Sequence, residues 1–255
     1  MKADNFVLQE YFDRTGYRGD AEASLKTIKE LMRRQLFTVP FENLDVQAGK
    51  IVSMVPEDIV DKIVRRKRGG YCFELNGLFA MALEARGIPY RFVAARPMIY
   101  RERKPRTHMA LIVSVEGGDW LCDLGFGSYG IRTPLRLDML DTAIRQDYDT
   151  FMLSRASEHE YVLKALVEGN WADQFGFDLS PQEWVDFAPA NHYCSTHPDA
   201  IFVQKLLVIR HNPKGRDILF GDTLKSVTEG RNEKRVIRPE ERHAILRNRF
   251  DLEYG

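Results

Sequence analysis

The spacing of apolar residues changes near Gly87-Ile88-Pro89, and this change constrains the fold more than any other feature of the sequence. Before it, apolar residues recur with a period close to 3.6 over residues 25–37, 56–67 and 72–86, as they do in helices. Gly87 directly follows the third stretch and suits the C-terminal cap of a helix. The first third of the chain is therefore predicted to be helical.

After residue 89, β-branched and aromatic runs separated by turn residues indicate antiparallel strands, so the fold class is α+β. The expected strands cover residues 90–95, 109–115, 120–124, 151–154, 161–166, 201–209 and 217–220, and a last helix covers residues 240–249. A chain of 255 residues permits one large domain or two to three small ones. The pattern alone leaves the number of domains open.

Charge and cysteine content narrow the functional classes. The chain has 37 basic and 37 acidic residues, so its net charge gives no long-range attraction to nucleic acid or to an anionic membrane. Residues 1–18 are polar, without the pattern of a signal peptide, and the expected location is the cytoplasm. The 3 cysteines have no CxxC spacing, which favours free thiols over a disulfide framework.

One of these thiols, Cys72, stands at a predicted helix start, after Arg68-Gly69-Gly70-Tyr71. The glycines allow a tight backbone, and the unpaired N–H groups and dipole of a helix start lower the pKa of a thiol. This pattern is typical of a nucleophilic cysteine. By itself it is also compatible with a buried structural cysteine after a glycine turn.

His108 begins a predicted strand and Asp123 ends the next one, so both belong to one hairpin. A symmetric turn centred on Gly117-Gly118 would place residue 108 opposite residue 127, which leaves Asp123 about 13 Å along the strand. We therefore expect an irregular hairpin, with its register shifted by about four residues. If the three side chains meet, His108 takes the Cys72 proton as base and Asp123 orients the imidazole. A strand histidine and a turn-capping aspartate are the alternative interpretation.

Three motifs together resemble the arylamine N-acetyltransferase family: RGGYCFELNGLF at 68–79, PFENLDV at 40–46 and DLGFG at 123–127. The resemblance implies a helical bundle over residues 1–87 that carries the nucleophile. It implies a β-barrel over residues 88–190 with His108 and Asp123, and an α/β lid over residues 191–255. The whole would share the Cys-His-Asp core of cysteine proteases. It also implies that acetyl-coenzyme A donates an acetyl group to Cys72, which passes it by a ping-pong mechanism to an arylamine, arylhydrazine or arylhydroxylamine.

The same resemblance suggests which residues contact the substrates. Phe126 is expected to form an aromatic wall of the acceptor pocket, with further contacts from Gly127, Tyr71 and Phe41. A backbone N–H of Tyr71 or Cys72 is expected to stabilise the thioester oxyanion. The predicted coenzyme A contacts are Lys104, Arg106 and Thr107, although a solvated basic loop also explains these residues.

Other residues near the motifs are expected to be structural. Glu42 is predicted to pair with an arginine such as Arg68, and Cys122 to lie inert in the core. Cys194 lies between two histidines, but their spacing does not favour a metal, so we expect none.

Alternative functions keep the same three catalytic residues. A family relative that closes macrolactams would need an open cleft, and a papain-like or transglutaminase-like peptidase would need an extended groove. An inactive binding module would leave Cys72 no more reactive than the other cysteines. The expected partners are a small-molecule acceptor and coenzyme A, without nucleic acid or membrane, and the expected assembly is a monomer or homodimer.

Overall fold

Helices form most of the first third of the chain in the computed structural model, which describes residues 1–19, 22–127 and 129–253. They are α1 (Leu8–Thr15), α2 (Leu25–Thr38), α3 (Leu44–Gln47), α4 (Pro56–Val60), which continues into a π-helical turn (Asp61–Arg65), and α5 (Cys72–Ala85). The three predicted helical stretches are confirmed. Gly87 has a φ of +63°, the left-handed conformation expected of a glycine that follows a helix.

Helix α5 lies in the centre of the molecule. Every residue from Cys72 to Leu83 is buried, which is typical of a helix covered on all sides rather than one at the surface. The helix packs against α4 and against strand β3 (His108–Val115). The position of α5 brings the N-terminal end of a buried helix to the sheet that carries His108.

An open antiparallel sheet covers the middle of the chain. Its other strands are β2 (Tyr90–Pro97), β4 (Gly118–Cys122), β5 (Leu135–Arg136), β6 (Ile144–Gln146), β7 (Asp149–Arg155), β8 (Tyr161–Val167) and β9 (Asn170–Phe177). The strand order is β5-β4-β3-β2-β9-β8-β7-β6, which puts β2 and β3 near the middle and β5 and β6 at the ends. The predicted barrel therefore takes the form of a half-barrel.

In the last part of the chain, the described residues form three α-helices and most of a second antiparallel sheet. The helices are α6 (Ala188–Thr196), α7 (Ile201–Gln204) and α8 (Arg242–Phe250), and the sheet has the order β1 (Phe41–Glu42), β10 (Leu207–Asn212), β11 (Gly215–Phe220), β12 (Thr223–Thr228) and β13 (Arg231–Val236). Because β1 belongs to the PFENLDV motif, this sheet joins the chain's C-terminal part to the segment that lies beside Cys72.

The strand expected over residues 201–209 is wrong in its first half, where the chain forms α7 instead. Asn43 explains the difference. Its Nδ2 donates to the carbonyl oxygens of Phe202 (2.7 Å) and Lys205 (2.8 Å), and its Oδ1 accepts from the N–H of Leu207 (2.7 Å). These hydrogen bonds pair the free carbonyl groups at the end of a short helix, so the strand begins only at residue 207.

The α+β class is confirmed, whereas the division into units at residues 87/88 and 190/191 stays a prediction. One continuous apolar core contains residues of the helices and of the half-barrel, and a second, smaller one lies beneath α8. Among the residues that the structure describes, no helix combines the length and apolar character needed to cross a membrane.

Candidate active site

Cys72 is the first residue of α5, and the two glycines before it are required by close packing. A Cβ on Gly69 would lie 2.1 Å from the carbonyl oxygen of Pro40, which is far inside contact distance. The N–H of Glu42 donates to the carbonyl oxygen of Gly70 (2.9 Å). The PFENLDV motif therefore packs directly on the turn that presents the nucleophile.

A capping interaction fixes the start of the helix. The side chain of Glu74 reaches back, and its Oε2 accepts from the N–H of Tyr71 at 3.0 Å. This bond occupies one of the two N–H groups expected to stabilise an oxyanion, so the prediction for Tyr71 is wrong. The N–H of Cys72 stays the predicted donor.

Glu74 also takes part in a cluster of ion pairs. Lys62 Nζ lies 2.7 Å from Glu74 Oε1, 2.6 Å from Asp45 Oδ2 and 3.7 Å from Glu42 Oε1. Arg68 pairs with Glu42 at 2.8 Å, which confirms the predicted partner of Glu42. Burial raises the pKa of Glu74 to about 7, against the opposing effect of Lys62. The turn before Cys72 thus depends on the buried charges of Lys62, Glu74 and Glu42.

The hairpin of β3 and β4 is regular, and the predicted four-residue shift is wrong. Val115 pairs with Gly118 and Leu111 with Cys122, around a two-residue turn of Glu116 and Gly117. Both turn residues have positive φ (50° and 70°), as the favoured two-residue hairpin turns require. The turn centre therefore lies one residue earlier than the symmetric assumption placed it.

This register makes His108 and Asp123 diagonal neighbours. Asp123 directly follows Cys122 and lies across from Ala110, two residues from His108 on the same face. The two side chains meet at 2.8 Å between His108 Nε2 and Asp123 Oδ2, and both are buried. The predicted contact exists without the predicted bulge.

Asn76, which the sequence interpretation missed, holds Asp123 in place. Its Nδ2 donates to Asp123 Oδ1 (3.1 Å) and to the carbonyl oxygen of Met109 (2.7 Å), and its Oδ1 accepts from the N–H of Leu124 (2.9 Å). The N–H of Gly125 donates to the same Asp123 oxygen (2.8 Å). The available signal was its position one helical turn after Cys72, on the same face of α5.

Cys72 and His108 line one cavity of about 370 Å³. Phe126 also lines it, with its ring edge-on to the His108 imidazole at 5.2 Å between centroids. Three further residues predicted to contact substrates, Phe41, Lys104 and Thr107, lie on the cavity wall. The remainder of the wall is mainly apolar and aromatic and includes Pro97, Ile99, Tyr100, Tyr193, Cys194, Ala200, Ile201, Phe202 and Leu207.

The pKa of the Cys72 thiol shifts in the opposite direction to the one expected from the helix start alone. Burial raises this pKa, and Cys194 and Asp123 act in the same direction. Hydrogen bonds from the backbone N–H groups of Met109 and Phe73 lower it, but by less. A buried thiol of this kind loses its proton only if a neighbouring group becomes a cation, which is the role predicted for His108.

Three predicted contact residues, Tyr71, Arg106 and Gly127, are not among those that line the cavity. The hydroxyl of Tyr71 hydrogen bonds to Asn191 and Ser195 of α6. The carbonyl oxygen of Gly127 accepts from His211 Nε2 at 3.0 Å, and Arg106 Nη2 pairs with Asp178 at 2.5 Å. Direct substrate contact by Tyr71 and Gly127 stays a prediction. The predicted coenzyme A contact of Arg106 would require it to leave Asp178.

Cys122 is fully buried in the core, as predicted. Within the described ranges, no three or more His, Cys, Asp or Glu side chains form a group able to hold a metal ion.

Comparison with known proteins identifies the family. A family model described as N-acetyltransferase matches residues 24–255. The arylamine N-acetyltransferase of Escherichia coli (strain K12) is 32% identical over 213 residues, which cover 82% of this chain and 74% of the relative. The chain belongs to the arylamine N-acetyltransferase family.

Further members of the arylamine N-acetyltransferase family agree in sequence and in structure. The arylamine N-acetyltransferase of Mycobacterium tuberculosis (strain H37Rv) is 35% identical over 225 residues, covering 83% of this chain and 78% of the relative. The solved structure of Mycobacterium marinum arylamine N-acetyltransferase in complex with CoA superposes with a TM-score of 0.91 at 30% identity, covering 96% of this chain and 92% of that one. The resemblance stated from the three motifs is thus confirmed over almost the whole fold.

Proposed function

We propose that this protein transfers an acetyl group from acetyl-coenzyme A to the nitrogen of a primary arylamine or arylhydrazine, or to an arylhydroxylamine. The observation that carries the proposal is the hydrogen bond between His108 and Asp123 at the wall of a cavity that also contains the Cys72 thiol. A buried cysteine with an oriented base supports covalent catalysis, and family membership supports the acetyl group as the group transferred.

The first step is a proton transfer. His108 Nε2 donates its hydrogen to the Asp123 carboxylate, so the other ring nitrogen, Nδ1, is left with a lone pair. That nitrogen takes the proton of Cys72, and the thiolate and imidazolium form together. Asp123 stabilises the cationic ring, and Asn76 keeps Asp123 oriented.

Two acyl transfers follow. The thiolate attacks the carbonyl carbon of acetyl-coenzyme A, the bond to the coenzyme A sulfur breaks, and His108 returns its proton to the leaving thiolate. The acceptor amine then attacks the Cys72 thioester while His108 takes a proton from the nitrogen, and the Cys72 sulfur leaves. The two half-reactions together restore the thiolate and imidazolium with which the first acyl transfer began.

The lining of the cavity suits a flat acceptor. The rings of Phe41, Phe126 and Phe202 offer apolar faces, and a cavity of about 370 Å³ holds one aromatic ring system beside the nucleophile. A bulky intramolecular substrate or an extended peptide would need a larger or longer opening. This size favours the arylamine over the macrolactam and peptidase alternatives.

We propose that the donor enters from the side of the loop that contains Lys104, Arg106 and Thr107. We assign its contacts to Lys104 and Thr107 on the wall and to Arg106, whose guanidinium would exchange Asp178 for a phosphate. The CoA complex of the M. marinum relative supports coenzyme A as the carrier. We further propose a cytoplasmic location and a monomer or homodimer.

The test is a steady-state assay of coenzyme A release with acetyl-coenzyme A and a panel of anilines and aryl hydrazines. Wild type and Cys122→Ala should release more than one equivalent of coenzyme A per protein only when an acceptor is present, whereas Cys72→Ala should release none. An acceptor-independent rate equal to the acceptor-dependent one would indicate a hydrolase instead. Transfer by Cys72→Ala would refute the covalent route.

A further inference from the structure

Two of the three cysteine thiols face the same backbone carbonyl inside the cavity. Cys72 Sγ lies 3.8 Å and Cys194 Sγ lies 3.9 Å from the carbonyl oxygen of Thr107. The two sulfur atoms therefore share one contact atom. Both residues line the cavity, and their relative exposures are 3% and 2%.

Hydrogen bonds hold the two cysteine-bearing segments side by side. Tyr71 directly precedes Cys72, and its buried hydroxyl contacts Asn191 and Ser195. Those two residues lie on α6 on either side of Cys194. A single tyrosine therefore fixes the start of α5 against the helix that carries the second thiol.

We propose that Cys194 is a resolving thiol for Cys72: once a peroxide has oxidised Cys72, the two cysteines form an intramolecular disulfide. The disulfide stops acetyl transfer until a thiol reductant opens it. This goes beyond the acetyl-transfer function, because neither acetyl-coenzyme A nor an acceptor takes part.

The chemistry needs only the peroxide as co-reactant. The Cys72 thiolate attacks one peroxide oxygen, the O–O bond breaks, and the imidazolium of His108 protonates the departing oxygen, which leaves a sulfenic acid on Cys72. The Cys194 sulfur then attacks the Cys72 sulfur, the S–O bond breaks, and the Cys194 proton leaves with the hydroxyl as water. Two thiols and one peroxide give one disulfide, one alcohol or water from the peroxide, and one further water.

The geometry favours Cys194 over Cys122 as the resolving residue. Cys122 is fully buried on β4, and its pairing partner is Leu111. Cys194 already contacts the atom that Cys72 contacts. A disulfide bond of about 2.05 Å requires both side chains to turn from the Thr107 carbonyl toward each other.

The test treats the full-length protein with hydrogen peroxide, blocks free thiols and measures intact mass and tryptic peptides. Measured before the thiols are blocked, wild type should lose about 2 Da, as expected for removal of two hydrogen atoms. It should also yield a linked pair of peptides, residues 69–86 and 165–205, that dithiothreitol separates. Cys122→Ala, the matched control, should give the same linked pair.

Cys194→Ala and Cys194→Ser should instead gain two or three oxygen atoms on Cys72, a change that dithiothreitol does not reverse. Wild type that gains oxygen without a linked pair, or a linked pair that contains Cys122, would overturn the proposal. The peptide mapping of wild type decides this even if a Cys194 variant does not fold. Because no acetyl-coenzyme A is present, a negative result leaves the acetyl-transfer proposal standing.

Discussion

Replacing Lys62 by methionine should show how much the buried charges near the turn before Cys72 contribute to the stability of the fold. Lys62 is 6% exposed, and its ammonium lies within 2.7 Å of Glu74 and 2.6 Å of Asp45. Methionine fills a similar volume but leaves Glu74 without its cation, while Glu42 keeps Arg68. Removing one partner of a buried ion pair typically destabilises a protein by about 3–5 kcal/mol, and we expect a loss in this range near pH 8.

The stability loss caused by Lys62→Met should depend on pH in a definite direction. Without Lys62, the pKa of Glu74 rises further above about 7, because burial raises it and the opposing cation is gone. At pH 5 Glu74 is protonated in the folded variant, so no uncompensated charge is buried there. The deficit of Lys62→Met should therefore be smaller at pH 5 than at pH 8.

Urea unfolding at both pH values measures this deficit, with two comparisons built from the same chain. Lys62→Met/Glu74→Gln removes the unpaired acid and should recover at least about 1 kcal/mol of the loss at pH 8. Lys2→Met removes a lysine that is 83% exposed and pairs with Glu84 at 3.7 Å, and it should change stability by less than about 1 kcal/mol. A Lys62→Met deficit no larger than that of Lys2→Met, or a double variant no more stable than Lys62→Met, would refute the reasoning.

Three further predictions follow from the same site. Glu74 has a folded pKa of about 7 against an ordinary 4.5, so its contribution is complete below pH 4.5 and is lost as the pH rises through 7. The unfolding free energy of wild type should therefore fall by about 3 kcal/mol over that window, and this fall should be absent from Glu74→Gln. Parallel pH profiles of wild type and Glu74→Gln would contradict this. Asn76→Ala should leave the N–H of Leu124 unpaired and lower stability by about 1–3 kcal/mol. It should also reduce kcat more than KM in the coenzyme A release assay, and an unchanged kcat would show that Asp123 needs no orientation from Asn76. Gly125→Ala would put a Cβ 2.4 Å from the Cα of Cys72, so acetylation of Cys72, followed by mass, should fall at least tenfold, and a normal rate would contradict the close packing.

Local features of the fold were predictable from the sequence because their causes are local. The periodicity of α5, the glycine after it and the nucleophile at its first residue depend on neighbouring residues alone. The three long motifs add the family and, through it, a β-barrel, which the structure shows as an open half-barrel. The contact between His108 and Asp123 was predictable because both residues belong to one hairpin.

Features that depend on distant residues were not predictable in this way. The predicted hairpin register was wrong because Glu116 takes a positive φ. The turn centre therefore moves by one residue, and each residue of β3 pairs with a residue two positions earlier than predicted. The prediction of a strand from residue 201 was wrong because Asn43, far away in sequence, donates hydrogen bonds to backbone carbonyl groups of α7 and the residue after it. Asn76 was missed because its role appears only when α5 packs on β3.

The central claim, that Cys72 carries the acetyl group with His108 as its base, is tested most directly by mass spectrometry without an acceptor. Incubation of wild type with acetyl-coenzyme A should add about 42 Da, the mass of one acetyl group, through a thioester on the cysteine nucleophile. The peptide of residues 69–86 should carry it, and His108→Gln should slow its appearance at least a hundredfold. An unmodified wild-type peptide, or an acetyl group on the peptide that contains Cys194, would contradict the account.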